Sequence, residues 1–257
     1  MTTTLPPRTR KTPLRSALDR EVAMRLAGTE YDLTVETFGR LTTAQWMLPT
    51  DCPGWDVRAM AGHVIGMAEM ATGVRETVRQ QIAATLRAKR RGGEVLDAQT
   101  ANQVDEHAEL SVPDLVERMR AIGPKAVAGR RATPSFLRGR NLPSQLVGRE
   151  REWWTLGYLL DTILTRDTFM HRLDIARATG VLVPLTAAHE GVIVDDVVRE
   201  WQTRHGSDFV LELTGPAGGQ WESGTNGESV TMDAFDFCRM VSGRGSATGL
   251  LSTPVPF

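Results

Sequence analysis

Apolar positions in the first 180 residues recur mostly at three-, four- and seven-residue steps, the period of a helix with one buried face. Over residues 16–40 that stripe is Met24, Tyr31, Val35 and Phe38, with charges between them. Thr42 and Gln45 then stand at capping-box spacing, which predicts a short helical turn. A turn-rich connector, Pro49-Thr50-Asp51-Cys52-Pro53-Gly54-Trp55, leads to Asp56, whose carboxylate can cap the next helix. That helix, over 57–72, carries Val57, Met60, Val64, Met67, Ala68 and Ala71 on one face. A charged segment through Arg87, Arg90 and Arg91 reads as helix, then as loop at Gly92-Gly93. Leu115, Val116, Met119 and Ile122 predict a further helix over 113–127, and 129–149, rich in Gly, Pro and Arg, reads as a surface loop. Residues 152–179 form the last long helical pattern, closed by Gly180. Four principal helices joined in this way predict a four-helix bundle.

The pattern changes near residue 181. A helix over 186–205 with Val192, Ile193, Val197 and Trp201 precedes the strand Phe209-Val210-Leu211-Glu212-Leu213. A glycine-rich turn, 215–219, leads to a return strand at Gln220-Trp221-Glu222, and Val230-Thr231-Met232 reads as another short strand. Asp233 can cap a closing helix through Met240. The expected class is therefore α+β, with a helical bundle over 15–180 and a smaller α+β domain over 181–257. The first 14 residues are basic and lack an apolar core segment, so they read as a disordered, solvated tail and not a signal peptide.

Composition narrows the function classes. Of 257 residues, 41% are hydrophobic and 24% charged, ordinary for a globular protein. No stretch approaches the ~20 apolar residues of a membrane helix, so no membrane role is expected. With 30 basic and 31 acidic residues the net charge is -1, which removes the electrostatic case for nucleic-acid binding. Cys52 and Cys238 are too few for a disulfide framework, and the expected location is cytoplasmic. A monomer or a homodimer is expected.

Chemistry concentrates in the last bundle helix. With Leu156 set at zero and about 100° per residue, Asp167 falls near 20°, His171 near 60° and Asp174 near 0°. Leu160 and Ile163 share that face, so two carboxylates and an imidazole lie along the stripe that should meet the core. Such groups need partners when buried. Asp167 and His171 stand four residues apart, the spacing of two metal ligands from one helical turn, and Asp174 could orient His171 from behind. His63, at the edge of its own stripe, could add a third ligand. A buried salt bridge among Asp167 or Asp174 and His171 or Arg177 fits the same spacing. Cys52 reads as structural, Trp55 as a staple at the start of the helix, and Trp153 and Trp154 as packing residues. His107, His189 and His205 lack a partner pattern and read as solvated.

The segment from Thr50 to His63 resembles the "CPGW-x-V-R-x-x-x-x-H" motif of actinobacterial mycothiol-dependent maleylpyruvate isomerase-like proteins, a group of DinB-like metal-binding bundles. Asp167 to Asp174 resembles the family's second motif, an acidic residue, three positions, His, two positions and Asp. Residues 213–219 and 241–244 are similar to its sterol-carrier-like C-terminal domain. The resemblance implies that His63, Asp167 and His171 bind a divalent metal, zinc first and nickel or manganese next, with Asp174 supporting His171. It also implies mycothiol as thiol cofactor, a small electrophile as substrate, and Arg244 as the functional C-terminal arginine. Asp167 replaces the Glu of the isomerase. The expected activity is cis–trans isomerisation or S-transfer by a metal-activated thiol. Two other readings are a metal-dependent hydrolase with Asp174 as base, and a non-catalytic metal, thiol or ligand carrier.

Overall fold

The apolar stripes become helices in the computed structural model, which describes residues 8–9 and 12–257. In chain order the first elements are β1 (Arg8–Thr9), α1 (Arg20–Arg40), α2 (Val57–Met70), α3 (Val74–Arg91), α4 (Val95–His107) and α5 (Val112–Ala132). There follow α6 (Ser135–Arg138), β2 (Gln145–Val147), β3 (Glu150–Glu152), α7 (Leu156–Tyr158), a π-helical turn (Leu159–Ile163) and α8 (Leu164–Thr179). The chain ends with α9 (Glu190–His205), β4 (Phe209–Thr214), β5 (Gly219–Ser223), β6 (Glu228–Asp233) and α10 (Ala234–Val241). The class is α+β. No helix among the described residues is long and apolar enough to cross a membrane.

Two compact units emerge. The helical unit comprises Arg20–Pro134 and Leu164–Val183. Within it α1 and α2 each pack on both α5 and α8, closing a ring of four helices. Apolar side chains such as Met24, Phe38, Met60, Val64, Met119 and Phe169 fill that ring. Glu30 of α1 accepts two hydrogen bonds from Arg172 of α8, at 2.8 and 3.0 Å, and both side chains are fully buried. Such a pair survives burial only because each charge meets its complement.

A hairpin of α3 and α4 packs on α2. Sequence periodicity does not predict α4, and the structure supplies the reason. Its buried positions are Ala98, Gln99, Gln103 and His107, so its inward face is largely polar and leaves no apolar stripe. Glycines on α2 seat it. A Cβ on Gly66 would lie 2.5 Å from Cγ of Gln103, and one on Gly62 would lie 3.1 Å from Cβ of His107. Asp56 starts α2 as expected, its Oδ1 accepting the Ala59 N–H at 2.8 Å.

The second unit holds the described residues up to Asp19 together with Ser135–Ile163 and Pro184–Phe257. Strand β3 lies between β1, parallel, and β2, antiparallel. Leu14 also donates its N–H to the Trp153 carbonyl at 2.8 Å. The described part of the expected tail is therefore tied to a sheet edge, while residues 1–7, 10 and 11 lie outside the described residues. Segment 135–163, assigned above to the bundle, groups instead with the C-terminal part. Buried Glu152 accepts from Arg204 of α9, and the Tyr158 hydroxyl donates to Glu200 at 2.8 Å. In the other sheet β4 is central, antiparallel to β5 and parallel to β6. Phe209, Leu211 and Leu213 alternate inward along β4, and Trp201 of α9 meets Phe209 and Phe237 edge-on.

Gly66→Ala is expected to push α4 off α2 and to destabilise the helical unit by about 1–3 kcal/mol, read from urea unfolding. A change under about 0.5 kcal/mol, the range of an ordinary surface substitution, would contradict that seating.

Candidate metal centre

Two helices and one connector build the centre. The turn before α2 is closed by the Thr50 N–H donating to the Trp55 carbonyl at 2.9 Å, and the Asp56 cap then fixes the first turn of α2. His63 follows two turns later and is buried, and α8 carries Asp167, His171 and Asp174. The structure brings His63, Asp167 and His171 together. Nε2 of His63 and Nε2 of His171 each lie 3.4 Å from the same Asp167 Oδ1. The two rings stand edge to face, 5.1 Å between centroids. Asp174 Oδ2 lies 3.3 Å from His171 Nδ1, and Gln103 Oε1 lies 2.8 Å from His63 Nδ1. Both imidazoles thus turn Nε2 toward Asp167 and Nδ1 toward an acceptor behind them.

Electrostatics follow from that crowding. Burial alone would raise the Asp167 carboxyl, but the His171 and His63 rings outweigh it and hold the group far below the carboxylate range. Burial alone would lower His171, yet Asp167, Asp174 and the Cys52 thiol together raise it well above the ordinary imidazole value. Asp167 Oδ2 is also buried and finds no hydrogen-bond partner among the described residues. A cation fits this arrangement. Ligand atoms about 2.0–2.1 Å from a tetrahedral ion lie about 3.4 Å apart along its edges, the two separations seen here. Two imidazole nitrogens and a carboxylate oxygen suit zinc, nickel or manganese. Asp167, though one methylene shorter than Glu, reaches both nitrogens equally.

Other residues differ from expectation. Cys52 stands beside the centre: its sulfur and one ligand atom each from His171 and Asp174 lie within 4.8 Å of one another. Trp55 lays its ring 5.1 Å from His63 and 6.0 Å from His171, so it covers the centre in addition to marking the start of the helix. Both were visible as neighbours of His63 in the first motif. Gln103 carried no such signal, because a glutamine in an unpatterned segment looks ordinary. His107 is not solvated but buried, 3.5 Å from Glu69, with Nδ1 2.7 Å from the Gln103 carbonyl. His189 is buried, and His205 packs its ring 4.3 Å from Trp201. Trp154 sits in a cluster with Tyr158 and Ile163. Arg244 belongs to the other unit, half-buried in the turn after α10. Its N–H donates to the Arg239 carbonyl at 2.9 Å while Gly243 takes a left-handed φ of 85°, a Schellman closure.

The pairing of Asp167 and His171 makes stability depend on pH in metal-free protein. His171 is raised, so its contribution is complete below the ordinary imidazole range and is lost as pH climbs through the raised value. Asp167 is depressed, so its contribution persists down to acid pH. Urea stability of metal-free wild type is expected to fall as pH rises above the ordinary imidazole range, and Asp167→Asn to show a flatter profile. Parallel profiles would contradict the pairing.

Comparisons with known proteins bear on the same residues. Among solved structures the chain is similar to the mycothiol-dependent maleylpyruvate isomerase, with 15% identity and a TM-score of 0.55. That likeness covers 89% of this chain and 91% of the other. A mutant of the isomerase matches with 14% identity and the same TM-score. At such identities the likeness shows a shared fold. Curated proteins give no match. The family described as the mycothiol maleylpyruvate isomerase N-terminal domain matches residues 28–176, a span holding α2, most of α8 and all the residues around Asp167. Because that span is more than half of the sequence, the chain belongs to the mycothiol maleylpyruvate isomerase N-terminal domain family.

Proposed function

We propose that the protein is a metal-dependent enzyme that activates a low-molecular-weight thiol, mycothiol, for cis–trans isomerisation of, or S-transfer to, a small electrophile. The observation that carries this reading is the Asp167 carboxylate, with one oxygen between two imidazole nitrogens and the other buried without a hydrogen-bond partner among the described residues. In this reading Nε2 of His63, the Asp167 carboxylate and Nε2 of His171 hold a divalent cation, zinc foremost. Three protein ligands leave a position for an incoming group. A bound ion of this kind supplies acidity, so that a coordinated thiol gives up its proton at neutral pH and serves as the nucleophile. Asp174 holds the His171 ring by accepting from Nδ1, and Trp55 shields the two imidazoles from water. Arg244 would steady an anionic substrate as negative charge develops, a role that rests on the family resemblance.

Asp174 is 1% exposed and engaged with His171, which favours the thiol reading over a hydrolase that would use it as base. In this reading the thiol arrives as cofactor and neither Cys52 nor Cys238, both free thiols, supplies it. Maleylpyruvate, the substrate named for the structural relative, is the first molecule to test.

Cobalt-substituted protein is expected to develop thiolate-to-cobalt charge-transfer absorption when mycothiol is added. The band should persist in Cys52→Ser and vanish in His63→Ala and His171→Ala. Cobalt binding without a new band would leave the metal centre and remove the thiol, the outcome a carrier module would give. Equal lack of cobalt in wild type and both histidine variants would remove the metal centre itself.

A further inference from the structure

Behind His63 three helices meet in a short chain of amides. Gln103 of α4 is 1% exposed, with Oε1 2.8 Å from His63 Nδ1 and Nε2 2.9 Å from Gln80 Oε1 of α3. Gln80, also buried, places Nε2 3.0 Å from the Gly66 carbonyl on α2. An amide side chain has two faces, one that donates and one that accepts, and its neighbours decide which way it points. Here a single backbone group decides for the whole chain. The Gly66 carbonyl can only accept, so the Gln80 NH2 must face it, leaving Gln80 Oε1 toward Gln103. That oxygen also accepts only, so the Gln103 NH2 must face Gln80, leaving Gln103 Oε1 toward His63. His63 Nδ1 must therefore donate, and the lone pair of a neutral ring falls on Nε2, the atom 3.4 Å from Asp167. Neighbouring contacts agree. Gln80 Nε2 also donates to Glu76 Oε1 at 3.1 Å, and Gln103 Nε2 lies 3.3 Å from the Met67 sulfur, an acceptor.

We infer that Gln103 and Gln80 are positioning residues that hold His63 as the Nδ1–H tautomer, with Nε2 presented to the centre. The tautomer stands on the amide geometry alone. Its consequence for metal binding rests on the reading proposed above. The relay begins and ends on α2, since Gly66 follows His63 by three residues, and the missing side chain of Gly66 is what admits Gln103 so closely. The two imidazoles are thus oriented differently. His171 leans on a carboxylate, Asp174, whereas His63 leans on a neutral amide. A centre already holding Asp167 and Asp174 gains orientation at His63 without a third buried anion.

The test uses the full-length protein with 15N-labelled histidine, metal-free, at a pH where imidazole is neutral, and reads His63 by long-range 1H–15N NMR. Zinc affinity is measured alongside by chelator competition. In wild type the proton is expected on Nδ1. Gln103→Glu keeps an acceptor there and is expected to retain both the tautomer and the affinity. Gln103→Leu removes the acceptor and is expected to lose the tautomer and about 10–100-fold in zinc affinity. Gln80→Met frees the Gln103 amide to turn over and is expected to give a mixture of tautomers. Both Gln103 variants lose the donor to Gln80, so equal effects would mean packing alone and would overturn the inference. A wild-type proton on Nε2 would also overturn it. If wild type binds no zinc while the NMR series runs as expected, the metal reading fails and the relay stands.

Discussion

A largely buried carboxylate between two imidazoles is the constraint on which the helical unit turns. Removing an ionised group from water is costly unless opposite charge and hydrogen bonds meet it within the protein. Asp167 receives both from His171, one turn along α8, while Nε2 of His63 closes on the same oxygen from across on α2. Each imidazole must in turn be held from behind, by Asp174 and by Gln103. That requirement explains features that look unrelated along the chain. Helix α4 has a polar inner face because it must supply an amide at Gln103. Glycines stand at 62 and 66 because α4 has to come close to α2. The connector before α2 ends in Trp55 and an Asp56 cap because the ring covers the imidazoles and the cap fixes their helix.

The elements that carry an apolar period were legible in the sequence, and those that carry polar chemistry inward were not. The stripes of α1, α2, α5 and α8 predict a bundle because burying a helix face leaves a period of 3.6. Alternation in 209–213 predicts β4 for the same reason at period two. Helix α4 escapes because its buried face reads as polar. Strands β1, β2 and β3 escape because segments of two or three residues have no period, and their pairing depends on distant partners. The grouping of 135–163 with the C-terminal part also depends on distant partners, Glu152 with Arg204 and Tyr158 with Glu200.

The site divides along the same line. Asp167, His171 and Asp174 lie on one helix, so spacing alone places them on one face. His63 lies on another helix: its place at the edge of a stripe offered it as a third ligand, and the resemblance of the CPGW segment implied that it is one. Cys52 and Trp55 were in view but read as packing, since nothing local says that a connector folds over a centre. Gln103 could be found only in three dimensions. At 15% identity to the solved isomerase, the fold is what the two share.

Anomalous diffraction at the zinc edge, from crystals of the full chain grown with zinc, tests the central claim most directly. Two overlapping donor groups compete for a cation, His63 with Asp167 and His171, and Cys52 with His171 and Asp174. The account expects one peak about 2.0–2.1 Å from Nε2 of His63, an Asp167 oxygen and Nε2 of His171. A peak on the Nδ1 side of His171, bound by Cys52 and Asp174, would contradict it, as would a well-ordered Asp167 between two imidazoles with no peak at all.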